Sequence, residues 1–254
     1  MSEKVREPAV AGMFYPADPS ELQTQIEGFL AEATPQEGLS PKAIIVPHAG
    51  TIYSGSIAAS AYAQILPDGI ERVVLLGPSH HVFLHGMAAS SAELWRTPLG
   101  DVPLERPAEL PVNDTAHELE HSLELQLPFL QTVLGEFKLI PLVVGDATKE
   151  EVADVLDALW GGSETLIVIS SDLSHYESYE QARAKDQATS RAIVNLEPRG
   201  LDSDNACGLI PIAGLLHFAK QKSLRAELLD VRNSGDTAGP KDQVVGYGAF
   251  AFYE

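Results

Sequence analysis

The chain has 254 residues, 44% of them apolar, enough for a sizeable core; no linker-like stretch divides it, so residues 1–254 read as a single α/β domain. Acidic residues number 36 against 17 basic ones, a formal charge of −19 that repels nucleic acid and anionic lipid and argues against both as partners. No apolar run approaches the roughly 18 residues of a membrane span, MSEKVREPAV has no apolar signal-peptide core, and one cysteine excludes an internal disulfide; a cytoplasmic protein is expected.

The N-terminal REPAVAGMFYPADPSE is irregular, and its aromatics Phe14 and Tyr15 read as anchors that pin the terminus rather than as ligand contacts. Asp18, Pro19 and Glu21 form a helix start, and Leu22, Ile26, Phe29, Leu30 and Ala33 mark one helical face. Thr34 to Pro41 is a loop. Lys42–Val46 is a strand buried on both faces; Pro47 stops it, Gly50 frees the turn, and His48 is delivered between them. A small-residue helix follows over Ser54–Leu66. The next strand, Glu71–Gly77, runs into a loop with His80, His81 and His85. A hairpin over Trp95–Leu104 turns at Pro98–Asp101. A helix opens at His117–Glu124, buries Leu123, Leu127 and Leu130, and is kinked by Pro128.

Phe137–Gly145 is a strand, and Thr148 with Glu151 caps the helix TKEEVADVLDALW. The strand TLIVISS ends at Asp172. Helices follow over Ser178–Leu196 and Gly208–Lys220, then strands Leu224–Val231 and Val244–Tyr253. RNSGDTAGPKDQ between them is long enough to be a lid or simply a loop. Alternating strands and helices predict a mostly parallel sheet flanked by helices, made mixed by the hairpin and the closing strands.

Three strands thus deliver histidines where open α/β sheets place their ligands: His48, the His80–His81 pair, and His175 beside Asp172. Adjacent histidines in an extended segment point to opposite sides, so at most one of His80 and His81 is a ligand. His121 either caps its helix or joins the pocket, and it shares a helical face with Glu124. Asp172 either caps the following helix or orients His175 as an acid/base pair. His85, His117 and His217 read as ordinary, His217 as a packed core residue. Cys207 stands just before a helix, whose N-terminus lowers a thiol pKa and permits metal ligation or nucleophilic attack; a buried structural cysteine is the alternative.

PHAG, GPSHH, EHSLE, SSDLSHY and ACGLIPI occur in this order. With them the chain resembles the Memo family, named for a mediator of cell motility downstream of a receptor tyrosine kinase. Bacterial and archaeal members carry the label AmmeMemoRadiSam system protein B. The resemblance runs from AGMFYP to GYGAF, essentially the whole chain. It implies a fold similar to class III extradiol ring-cleaving dioxygenases, which hold non-haem iron on two His and a Glu and use a further His as acid/base. By that resemblance His48 and His80 are metal histidines and Cys207 is the third ligand, where the dioxygenases have Glu. His175 with Asp172 is the acid/base pair, and His121 lines the pocket. Thiolate is softer than carboxylate and favours Cu(I), zinc or a differently poised iron. The resemblance therefore implies iron or copper, redox chemistry, a small-molecule or peptide ligand in the pocket, and association with a radical SAM protein. Two other readings stand beside it: a non-catalytic peptide- or protein-binding module that reuses the pocket, and a Cys207 nucleophile paired with a histidine.

Overall fold

A computed structural model describes residues 3–35 and 38–254; residues 36 and 37 of the expected Thr34–Pro41 loop, and the first two residues of MSEKVREPAV, lie outside the described residues. A short strand, β1 (Val5–Arg6), leads to helix α1 (Pro19–Glu32). Asp18 caps that helix, accepting the Ser20 and Glu21 N–H groups at 2.9 and 3.0 Å. Strand β2 (Ala43–Val46) is followed by α2 (Thr51–Tyr62), which starts earlier than expected because Gly50 stands as its N-cap directly after the turn. Then come β3 (Arg72–Pro78), β4 (Met87–Ala89) and the hairpin β5 (Leu94–Thr97) and β6 (Gly100–Pro103), turning at Pro98-Leu99.

The single kinked helix expected from His117 is instead three short helices: α3 (Asp114–Glu118), α4 (His121–Glu124) and α5 (Leu127–Leu134). Glu120 is extended (φ −75°, ψ 122°) and caps α4. Pro128 falls in the first turn of α5, where a missing N–H costs nothing, so it starts a helix rather than bending one. The rest follows the expected order, with one short strand, β9, that was not expected: β7 (Lys138–Val144), α6 (Lys149–Leu159) behind its Thr148–Glu151 capping box, β8 (Thr165–Ser170), β9 (His175–Glu177), α7 (Tyr179–Val194), α8 (Leu209–Lys222), β10 (Arg225–Asn233) and β11 (Val244–Tyr253).

The main sheet runs β10–β11–β2–β8–β3–β7–β4, with β9 paired to β11, and a second sheet runs β1–β5–β6. Strands β2, β8, β3 and β7 are mutually parallel, while β11 and β4 join them antiparallel. The architecture is a mixed α/β sheet flanked by helices. Alternation along the strands fills two cores. Ile44, Val46, Val73, Leu75 and Val168 face α1, α2 and α5. Ala43, Ile45, Val74, Leu76, Ile167 and Ile169 face α6 and α8. Among the described residues no helix is long and apolar enough to cross a membrane.

Glu124 ties the N-terminal segment to this body. The fully buried carboxylate accepts Tyr15 Oη at 2.6 Å and the Ala9 and Val10 N–H groups at 2.8 and 3.0 Å, and it is ion-paired with Arg6. Arg6 also donates to the carbonyls of His117 and Glu120 at 3.0 and 2.8 Å. Tyr15 is thus an anchor, as expected. Glu124→Ala strands a buried guanidinium and three donors, and is expected to lower stability by about 3–5 kcal/mol, measured as a reduced urea midpoint at unchanged slope.

Candidate functional site

The carboxyl ends of β2, β8 and β3 meet at one edge, in register at Val46–Ser170 and Leu76–Ile169. Close approaches bring two helix starts onto that edge. A Cβ on Gly77 would meet Leu123 and Ser122 at 2.9 Å, so α4 lies directly on β3. A Cβ on Gly208 would meet Ser171 at 2.6 Å, so the start of α8 lies on the end of β8 and carries Cys207 there.

His48, His80 and Cys207 come together: their donor atoms lie within 4.8 Å of one another. Cys207 Sγ is 3.2 Å from His48 Nε2, and the His48 and His80 ring centroids are 5.2 Å apart. His80 is clamped by Glu120, which accepts its Nδ1–H at 2.8 Å and its backbone N–H at 2.6 Å. That leaves His80 Nε2 as the ring's lone-pair nitrogen. His48 Nδ1 is tied to Ser170 Oγ at 2.8 Å. His121 stacks on His80 at 4.7 Å, lies 5.5 Å from His48, and packs against Phe14 at 5.0 Å. His80, Glu120 and His121 form a second group of donors within 4.8 Å.

A cleft of about 560 Å³ opens over these rings. His121, Asp172 and His175 line it, with Phe14, Tyr53, Tyr176 and Tyr247 supplying aromatic walls and Ser234, Gly239 and Pro240 of the 232–243 segment closing one side. Tyr176 sits at φ +57°, an uncommon backbone for a bulky residue, at the mouth of the cleft.

Burial dominates protonation here. It pushes His48 well below the ordinary 6.5, aided by His80 and His121, and brings His121 down to about 4. Burial also lowers His175, whose ring bonds the Leu173 backbone. Asp172 is pushed up to about 7 by burial, against hydrogen bonds from the His48 and Ala49 N–H groups. Burial opposes ionisation of Glu120 too, but His80 and the Ser122 N–H outweigh it and hold the carboxyl at about 2. Cys207 departs from expectation. Burial, reinforced by the Asp172 charge, raises its thiol to about 12, and the helix start does not offset this. Without a cation the thiol keeps its proton beside His48 Nε2; a metal ion displaces such a proton on binding.

The donors suit a transition metal. Ligand atoms about 2.0–2.3 Å from one ion lie roughly 3.3–3.8 Å from each other; here Cys207 Sγ and His48 Nε2 are 3.2 Å apart and every pair lies within 4.8 Å. One thiol and two imidazole nitrogens select a soft or borderline ion over magnesium or calcium.

Several single-residue expectations change. Glu120, not His121, caps α4. Asp172 caps no helix, since α7 begins only at Tyr179; it closes the turn after β2 through the His48 N–H at 2.7 Å. His217 is not a packed core residue: Leu215, Leu216 and Phe218 take the buried face of α8, and His217 contacts Gln221 on the outer side. Phe14 lines the cleft, unlike its neighbour Tyr15. His80 and His81 are both exposed, and His80 is the one that Glu120 holds through its ring. Glu120 and Ser170 were not singled out as ring-orienting groups from the sequence.

A family model described as Memo-like protein matches residues 6–251. The chain belongs to the Memo family. A MEMO1 family protein of Aquifex aeolicus (strain VF5) is 40% identical over 264 residues, covering 96% of this chain and 97% of that one. Another, of Ignicoccus hospitalis, is 36% identical over 282 residues, covering 98% of each. The crystal structure of uncharacterized protein JW3007 from Escherichia coli K12 aligns at a TM-score of 0.43 and 10% identity, over 81% of this chain and 98% of that one.

Behind the cleft, buried Asp186 of α7 braces the segment between β8 and β9, accepting the Ser174 N–H at 3.0 Å. Burial raises this carboxyl from 3.8 to about 6. The folded chain therefore holds the proton more tightly than the unfolded one, and this group favours folding most below about pH 4, less as pH rises towards 6. Asp186→Asn keeps the accepting oxygen. It is expected to be more stable than wild type by up to about 3 kcal/mol at pH 7.5, with the gap closing by pH 4, as read from urea denaturation at both pH values.

Proposed function

We propose that residues 1–254 form one Memo-like domain in which His48, His80 and Cys207 hold a single iron or copper ion, zinc being chemically admissible, and that the cleft above it is the pocket of a redox enzyme similar to non-haem dioxygenases. The observation that supports this most directly is the convergence of two imidazoles and a thiol within 4.8 Å, each ring held through Nδ1 by the protein. When bound, such an ion supplies Lewis acidity and electron transfer at a substrate oxygen.

The chain's own residues do the rest. Asp172, raised to about 7, and His175, whose pKa is shifted below the ordinary imidazole value, hold and move protons at the cleft. His121, lowered to about 4, offers a ring nitrogen to a ligand lying against Phe14. Tyr53 and Tyr247 crowd water from the inner wall. A small molecule or a peptide end fits this volume. A site that depends on a free thiol suits a reducing compartment, which supports the cytoplasm. A radical SAM protein as partner rests on the family resemblance alone.

The second reading, a peptide-binding module, is favoured by one feature: Met13 and Tyr176, each 72% exposed, rim the cleft as apolar contacts. Chelation separates the two, because a pure peptide binder keeps its affinity without metal. Metal analysis after anaerobic purification is expected to find about one iron or copper per wild-type chain and a loss of at least about tenfold in affinity for Cys207→Ser. Unchanged stoichiometry and affinity in that variant would sink the assignment of Cys207.

A further inference from the structure

His48 Nδ1 ends a buried chain of hydrogen bonds whose directions can be counted link by link. Tyr62, Ser122, Gln126 and Ser170 are all fully buried. Gln126 Nε2 lies 2.9 Å from the Pro47 carbonyl and 2.8 Å from Ser170 Oγ. A carbonyl only accepts, so the Gln126 amide must face it with the NH2 end, and the other end then accepts Tyr62 Oη at 2.9 Å. Ser170 Oγ lies 2.6 Å from the Ser122 carbonyl, a second group that only accepts, so the hydroxyl proton goes there. One lone pair of that oxygen takes the Gln126 N–H. The other faces His48 Nδ1 at 2.8 Å and can only accept. Nδ1 must therefore carry the proton, and Nε2, 3.2 Å from Cys207 Sγ, must carry the lone pair.

We propose that Ser170, oriented by Gln126 and by the carbonyls of Pro47 and Ser122, is a positioning residue that sets the tautomer of His48 and so opens its Nε2 to the metal. This rests on the reading of His48 as a ligand. The two rings are held differently: His80 by an anion, Glu120, and His48 by a neutral hydroxyl that is itself directed by two backbone carbonyls.

The test uses the full chain labelled with 15N-histidine. Long-range 1H–15N spectra of the metal-free protein report the His48 tautomer, and Zn(II) competition against a chromophoric chelator reports affinity. In wild type the Nδ1–H tautomer is expected. In Ser170→Ala, Nε2–H is expected to appear and Zn(II) affinity to fall about 10–100-fold; Ser170→Thr, which keeps the hydroxyl, is expected to restore both. Nε2–H in the metal-free wild type overturns the proposal, whether or not Ser170→Ala folds. So does a folded Ser170→Ala that keeps both the tautomer and the affinity. Wild type that binds no Zn(II) overturns the metal assignment instead, and the tautomer spectrum of the same sample still decides whether Ser170 directs the ring.

Discussion

One short helix, α4, and its N-cap carry two fully buried carboxylates, and most of the site depends on how each is satisfied. Isolated buried carboxylates are prohibitively unfavourable, so both Glu120 and Glu124 must be surrounded by donors. Glu124 takes its donors from Arg6, Ala9, Val10 and Tyr15, and thereby draws an otherwise irregular segment onto the domain. That segment brings Phe14 to the cleft wall. Glu120 takes its donors from His80 and Ser122, and thereby orients a ring. A long continuous helix would not do both. The extended backbone at Glu120 is what lets its side chain cap α4 and reach the loop after β3.

The second constraint is the parallel registration of β2, β8 and β3. Parallel strands end together, so their following residues meet without any further instruction. His48, Asp172 and His80 come from three such ends, and the Asp172 carboxylate stitches two of them by taking the His48 N–H. The same dry setting that makes these bonds strong disfavours the charged form of His48 and keeps the Cys207 thiol protonated. The Cys207 proton is held by local burial and by Asp172.

The strands and their ends were legible because continuous apolar runs such as AIIV and LIVIS leave little choice of structure, and because Pro47 and Asp172 mark where they stop. The caps at Asp18 and Thr148 were legible for the same local reason. The three-way break of the 114–134 region was not, since helical periodicity across Leu123, Leu127 and Leu130 persists through it and the break is set by a long-range demand on Glu120. The thiol shift at Cys207 was misjudged because a helix start acts only through nearby exposed N–H groups, whereas burial depends on residues far apart in the chain. Ser170 is the clearest case of an invisible role. Its partners stand 44, 48 and 122 residues away, and nothing in ISSD separates a hub serine from a loop serine.

These features make the candidate centre one that the fold builds before any metal arrives. In small zinc domains the ligands are scattered until the ion gathers them, and binding energy is folding energy. Here His48 and His80 are already placed by strand ends, their Nδ1 atoms already engaged, and Cys207 already packed by the contact of Gly208 with Ser171. An ion has only the thiol proton to displace and the donors to draw slightly together. If the proposed ion binds there, stability and metal affinity are separable properties of the chain. On that reading the groups that would couple them are the oriented polar residues behind the rings, Ser170 and Glu120, rather than the candidate ligands.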